Sequence, residues 1–303
     1  MHDVVVEDRR LTGLLAPGAR VERLGGGATW SEGPLWLPAD EAVIWSDIPG
    51  NRVLRWTEAT GEVTVDREPA EFTNGRTLDR DGRIVACSHG RRAIERTESD
   101  GTTHVVVDRF GTARLNSPND VVVASDGAIW FTDPPYGIVQ PHEGYPGDRE
   151  YGANHVFRFA PETWELTSVI TDVEEPNGLA FSPDESLLYV SDTSCALRVD
   201  GTGEHCIRVY DVTDDWKCVN GRVFAEINPG VADGFRVDEH GNVWTSSADS
   251  VQVYAPDGTR LGKIAVPEVV GNVCFGGADG STLFIAASTS LYRVRTSTRG
   301  AVA

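Results

Sequence analysis

Short apolar runs alternate along the whole chain with turns built from Gly, Asp, Asn and Pro, and helical periodicity is nearly absent. The clearest stretch reads Asn119-Asp120-Val121-Val122-Val123-Ala124, then the turn Ser125-Asp126-Gly127, then Ala128-Ile129-Trp130-Phe131-Thr132-Asp133. The next repeats it, with Gly178-Leu179-Ala180-Phe181, Ser182-Pro183-Asp184-Glu185 and Leu187-Leu188-Tyr189-Val190-Ser191-Asp192. A third copy runs from Gly234-Phe235-Arg236-Val237 through Asp238-Glu239-His240-Gly241 to Asn242-Val243-Trp244-Thr245-Ser246. Asp-Gly and similar pairs supply the positive φ angles that tight hairpins need. Five units follow this grammar of polar opener and four strands. The sixth, roughly residues 269–296, shows three strands only. An N-terminal strand near 18–27, around Arg20-Val21-Glu22-Arg23-Leu24, is expected to supply the fourth, which pairs the chain ends and removes exposed sheet edges.

The openers are Glu32, Asn74, Asn119, Asn177, Asp233 and Asn272, spaced by 42, 45, 58, 56 and 39 residues. That interval is one four-stranded propeller blade plus a variable loop. The expected fold is therefore all-β, a six-bladed β-propeller forming one domain over 1–303. Its blades lie near 30–66, 72–109, 117–172, 175–227, 230–267 and 269–296. If each opener starts the innermost strand of its blade, all six point at one end of the central channel. Any one of them alone also reads as an ordinary turn former. Their recurrence at one position, with differing identities, argues for a joint site. Carboxylate and amide oxygens around an axis suit a hard divalent cation, Ca²⁺ above all, with Zn²⁺, Mn²⁺ or Mg²⁺ as other candidates.

Strand direction assigns the faces. A first strand that starts at the site runs away from it and the second returns, so second-to-third connections lie over the site. Two of these are long: Pro134–Asn154, carrying Tyr136, His142, Tyr145 and Tyr151, and Thr193–His205. Those near Ser247–Ser250 and Ser288–Ser290 are short. The pocket is expected to be walled beside the third and fourth blades, with the three tyrosines offering flat faces to a ligand. Tyr136 is a candidate pocket wall, and His89, just after a second strand in Cys87-Ser88-His89-Gly90, a candidate substrate contact.

Composition narrows the function classes. A net charge of −19 opposes nucleic acid, whose phosphates would be repelled. No apolar run of membrane-spanning length occurs, and the start Met1-His2-Asp3-Val4-Val5-Val6-Glu7 lacks the apolar core of a secretory signal. The five cysteines show no metal-ligand spacing, so reduced thiols in the cytoplasm are expected, with Cys195 and Cys206 close enough across a loop for pairing to stay open. No Gly-x-Ser-x-Gly elbow and no phosphate-binding glycine loop is present. The expected partner is a small molecule, and the protein a monomer or small homo-oligomer.

Four motifs together resemble the SMP-30/gluconolactonase family in its bacterial gluconolactonase-like form. They are Ser31-Glu32-Gly33-Pro34, Asn116-Ser117-Pro118-Asn119-Asp120, Trp130-Phe131-Thr132-Asp133-Pro134-Pro135-Tyr136-Gly137 and Pro176-Asn177-Gly178-Leu179-Ala180-Phe181-Ser182-Pro183-Asp184. The resemblance implies a six-bladed propeller with one divalent metal held by Glu32, Asn177 and Asp233. It also implies that Asn119 contacts substrate or completes the metal shell and that Asp233 is the general base. Asn74 is taken as a further substrate contact. The implied activity is metal-dependent opening of a lactone, a sugar lactone first, to its hydroxy acid. Phosphotriester hydrolysis and a non-catalytic propeller with a structural channel metal are the alternatives.

Overall fold

The computed structural model describes residues 4–198, 200 and 202–301. Residues 1–3, 199, 201 and 302–303, which the 1–303 extent and the Thr193–His205 connection include, lie outside the described residues. Six sheets of four antiparallel strands follow one another along the chain, and each is a propeller blade. The innermost strands are Ser31–Leu37, Thr73–Leu78, Val121–Val123, Pro176–Phe181, Phe235–Val237 and Val270–Gly276.

Blades pack face to face, and that explains the sequence pattern. One hydrophobic cluster lies between each neighbouring pair: Trp45 and Val43 meet Phe284 and Leu291 between the sixth and first blades, and Trp130 meets Leu179 and Leu188 between the third and fourth. Second strands are buried on both faces, so Ala42–Asp47 and Thr282–Ala287 are buried at every residue and carry the apolar runs Ala42–Trp45 and Leu283–Ala287. Outer strands face water on one side, as in Val63–Arg67, where no residue is fully buried.

The inner strands crowd around the axis, and the glycines after the openers exist for that crowding. Gly75 N–H donates to the Asn119 carbonyl at 2.8 Å, Gly178 N–H to the Asp233 carbonyl at 2.9 Å and Gly234 N–H to the Gly271 carbonyl at 2.8 Å. A Cβ at Gly178 would stand 2.5 Å from the Asp233 oxygen, and one at Gly33 2.3 Å from the Asn74 oxygen. No side chain fits at either place.

The outer strand of the sixth blade is Glu22–Gly26, paired antiparallel with Ser290–Arg295 through Glu22 opposite Arg293 and Gly26 opposite Ser290. Two features go beyond the expected plan. Val4–Val6 adds a fifth strand to the fifth blade beside Arg260–Ala265. The helix Arg10–Leu14 follows it and drives Leu11, fully buried, into the cluster between the fifth and sixth blades. Five residues are too few for a helical period to show in the sequence. All five cysteines are free thiols, Cys195 and Cys206 included. Among the described residues no helix is long and apolar enough to cross a membrane.

Candidate active site

At the starting ends of the inner strands lies a cavity of about 170 Å³. Glu32, Asn74, Asn119, Asn177 and Asp233 line its floor, and Tyr136, Gln140 and Glu143 reach it from the long Pro134–Asn154 connection. Thr193 and Ala196 come from the matching connection of the fourth blade, while Trp30, Ile48 and Val231 complete the wall. Two of the residues read from the sequence stand elsewhere. Asn272 does not line the cavity; it turns inward, with Nδ2 donating to Glu32 Oε2 at 3.2 Å and Oδ1 accepting from Val273 N at 2.8 Å. His89, fully buried, stands one layer behind the wall.

A repeat of hydroxyl then acid at the ends of the second strands holds these openers. Ser46 Oγ donates to the Asn74 carbonyl at 3.1 Å, Thr132 Oγ1 to the Asn177 carbonyl at 2.6 Å and Ser191 Oγ to the Asp233 carbonyl at 3.3 Å. Each hydroxyl grips the opener of the next blade. The acid that follows ties down the chain entering its own blade. Asp47 accepts from Thr29 N at 2.8 Å, Asp133 from Asn116 N at 2.7 Å and Asp192 from Glu174 N at 2.9 Å. The signal was present in Ser46-Asp47, Thr132-Asp133 and Ser191-Asp192, but a strand ending in Ser-Asp looks like any strand running into a turn.

In the second blade His89 takes the place of that acid, and its work differs. Nδ1–H donates to the Glu143 carbonyl at 2.9 Å, so Nε2 accepts from the Asn74 amide at 3.3 Å. Burial lowers the His89 pKa to about 4, which keeps the ring neutral at pH 7. The Asn74 amide nitrogen is thereby engaged, and its oxygen remains for the cavity. Asn177 is held in the same sense: its Nδ2 donates to Thr193 Oγ1 at 3.3 Å, and Thr193 also shares a 2.5 Å hydrogen bond with the buried Tyr136 hydroxyl. Tyr136 is thus both wall and brace. The other two tyrosines of that loop face away. Tyr151 donates to Asp133 Oδ2 at 2.7 Å inside the third blade, and Tyr145, about half exposed, packs edge-on against Phe72. The expected trio of flat faces reduces to one.

Electrostatics set the floor apart. Glu32 is buried and Asp233 half-buried, and the two carboxyl groups face each other. Burial first and the facing carboxylate next push Glu32 well above the usual range, while burial and then Asp120 raise Asp233 to about 7. Oε2 of Glu32 accepts from Gly33 N at 3.0 Å and from Asn272, but Oε1 is buried with no partner. A buried orphan carboxylate oxygen beside a second carboxylate is costly unless a cation neutralises both. Among the described residues no three His, Cys, Asp or Glu side chains gather as a metal-binding group; here two carboxylates are joined by amide oxygens. That all-oxygen donor set fits a hard divalent cation. Beneath it, Asp120 pairs with Arg236 at 3.1 Å, and buried Arg76 donates to the Gly33 carbonyl at 2.7 Å and to Ser46.

A propeller with buried acids and amides at one channel mouth, under a roof of long loops, is the architecture of a small-molecule enzyme. The chain belongs to the family described as SMP-30/Gluconolactonase/LRE-like region, which it matches over residues 30–289. It is 34% identical to the gluconolactonase of Zymomonas mobilis, over 96% of this chain and 85% of that protein. A solved gluconolactonase from Xanthomonas campestris superposes with a TM-score of 0.89 at 42% identity, covering 97% of this chain and 94% of that one. A regucalcin of Agrobacterium tumefaciens, described as a calcium-binding protein, shares the fold at 18% identity, with a TM-score of 0.74 over 92% and 94% of the two chains. The protein is a lactone-hydrolysing enzyme.

Proposed function

We propose that this enzyme opens sugar lactones to their hydroxy acids with the help of a divalent cation held by Glu32, Asn177 and Asp233. The observation that carries this reading is Glu32 Oε1, buried and unpartnered beside Asp233 and the oxygen-bearing amides. Two opposed carboxylates and oriented amides favour Ca²⁺, in keeping with the calcium-binding Agrobacterium relative. When bound, the cation polarises the lactone carbonyl and stabilises negative charge on its oxygen. Asp233 takes a proton from water as the water oxygen bonds to the carbonyl carbon. It returns the proton to the ring oxygen as the ring C–O bond breaks. Asn119 and Asn74 offer amide groups to the ring substituents, and His89 keeps Asn74 in one orientation. Tyr136 closes the side of the cavity and excludes water there.

Two further readings belong to this proposal. The pairing of Glu22–Gly26 with Ser290–Arg295 acts as the clasp that keeps the ring shut. Five free thiols and a charge of −19 fit a reducing, cytoplasmic setting and a soluble substrate.

The test is a panel of sugar lactones, aliphatic lactones and a phosphotriester, assayed before and after chelation. Sugar lactones are expected to turn over best, chelation to abolish turnover, and Ca²⁺ to restore it together with thermal stability. Full activity in a verified metal-free preparation ends the metal reading, and preferred turnover of the phosphotriester ends the sugar-lactone one.

A further inference from the structure

Three carboxyl groups line the cavity, and the proposed chemistry uses two of them. Glu32 and Asp233 rise from the inner strands. Glu143 descends from the opposite side, out of the segment that follows the short helix Tyr136–Val139.

Its backbone is held with care. The Glu143 carbonyl accepts from His89 Nδ1–H at 2.9 Å, and Gly147 N–H donates to the Ile138 carbonyl at 3.2 Å, so the segment closes on itself. A Cβ on Gly144 would meet the Gly137 oxygen at 2.2 Å, and a Cβ on Gly137 would meet His89 Cβ at 2.5 Å. Only glycine fits at both positions, and the two glycines let the roof lie directly on His89. The Glu143 carboxyl group, in contrast, has no hydrogen-bond or ion-pair partner among the described residues. Its neighbours on the wall are Gln140, Tyr136, Thr193 and apolar groups, and the other two carboxyl groups of the lining lie on the floor, where Asp233 repels it.

A carboxyl group fixed by its backbone, set in a cavity wall and given no protein partner is an acceptor kept for a ligand. It can accept from two hydroxyl groups at once. We infer that Glu143 receives hydroxyl groups of the sugar ring on the side away from the floor, and so selects polyhydroxylated lactones over unsubstituted ones. This rests on the lactonase reading of the same cavity. His89 is its positioning residue, because one imidazole fixes both the Glu143 backbone and the Asn74 amide. An unsubstituted lactone offers the same ester to the floor but no hydroxyl to Glu143, whose burial then goes uncompensated.

The experiment compares gluconolactone with valerolactone, a six-membered lactone without hydroxyl groups, on Ca²⁺-loaded enzyme. Glu143→Ala is expected to raise KM for gluconolactone about 10- to 100-fold, with kcat for both substrates within about 3-fold of the parent. Glu143→Gln keeps one acceptor oxygen and is expected to lose less. Calcium content and melting temperature report folding, and Glu143→Gln serves if the alanine variant fails to fold. An equal loss on both substrates, or no change in their ratio, overturns the role of Glu143 while leaving the lactonase reading intact. A parent enzyme that turns over neither lactone overturns both.

Discussion

Asp233 carries three demands at once. In the proposed reaction it sits beside Glu32, lends an oxygen to a cation and accepts a proton from the nucleophile. Its carbonyl is engaged by Gly178 N–H and Ser191, and its N–H donates to Ser246 Oγ at 2.8 Å, so its backbone is fixed while its side chain meets Asn177 and Glu32 at the cavity. Asp233→Asn keeps an oxygen donor and removes the basicity. The expected result is a loss of about 100-fold in kcat with near-normal folding; wild-type turnover in a variant with normal calcium content assigns the base elsewhere. Asp192 makes the matching structural case. It is buried and accepts from Glu174 N at 2.9 Å, Ser194 N at 3.0 Å and Glu175 N at 3.3 Å. Asp192→Ala strands these N–H groups and is expected to cost about 3 kcal/mol in urea unfolding. A cost below about 1 kcal/mol would show that the acid repeat does not hold the blades.

At the scale of elements, the two sides of the propeller divide the work. Inner strands fix the floor through backbone stitching and have little freedom to vary. The Pro134–Asn154 connection is held instead by side chains: His89 on Glu143, Arg92 on the Asp148 carbonyl at 2.9 Å, Tyr151 on Asp133, and Asn116 Nδ2 on the Ala153 carbonyl at 2.8 Å. Shortening residues 140–150 removes Glu143 and leaves Glu32, Asn177 and Asp233 on the floor. The expected outcome is unchanged calcium content with a changed order of preference among lactones, read as kcat/KM across the panel. An unchanged profile in a calcium-replete variant would show that selectivity lies in the floor. Strand direction and the long connection over the site were legible in the sequence, because turn residues and opener spacing define them. The orientation of Tyr145 and Tyr151 was not. A loop has no period, so nothing local distinguishes a tyrosine that faces a cavity from one that packs beneath it.

For the whole molecule, the acid pair on the floor links pH to stability. Without a cation, Glu32 and Asp233 hold protons more tightly when folded than when unfolded, Asp233 titrating at about 7 instead of the usual carboxylate range. The folded state therefore binds more protons between about pH 4 and pH 7, and stability falls as pH rises through that window. Chelated protein is expected to melt progressively lower from pH 5 to pH 8, and Ca²⁺ to remove most of that slope because it neutralises both carboxylates. Melting curves at several pH values with and without Ca²⁺ check this; equal slopes in the two series would place the cation, if any, away from this pair.

What the sequence determined by itself was everything that repeats. Six openers at blade-length spacing define the ring, the apolar second strands define its walls, and five of the six openers gather at one mouth or directly line its cavity, as Glu32, Asn74, Asn119, Asn177 and Asp233 do. Repetition makes such features readable, because each unit solves the same packing problem and reuses the same residue types. The tertiary structure alone decided what does not repeat. It placed Glu143 opposite the floor, turned Asn272 onto Glu32, and set His89 behind Asn74 where three of the other blades carry an acid. These depend on contacts between residues as far apart as 240 positions. Such contacts are chosen by the closure of the ring and the path of its loops, and no local pattern of polar and apolar residues encodes them.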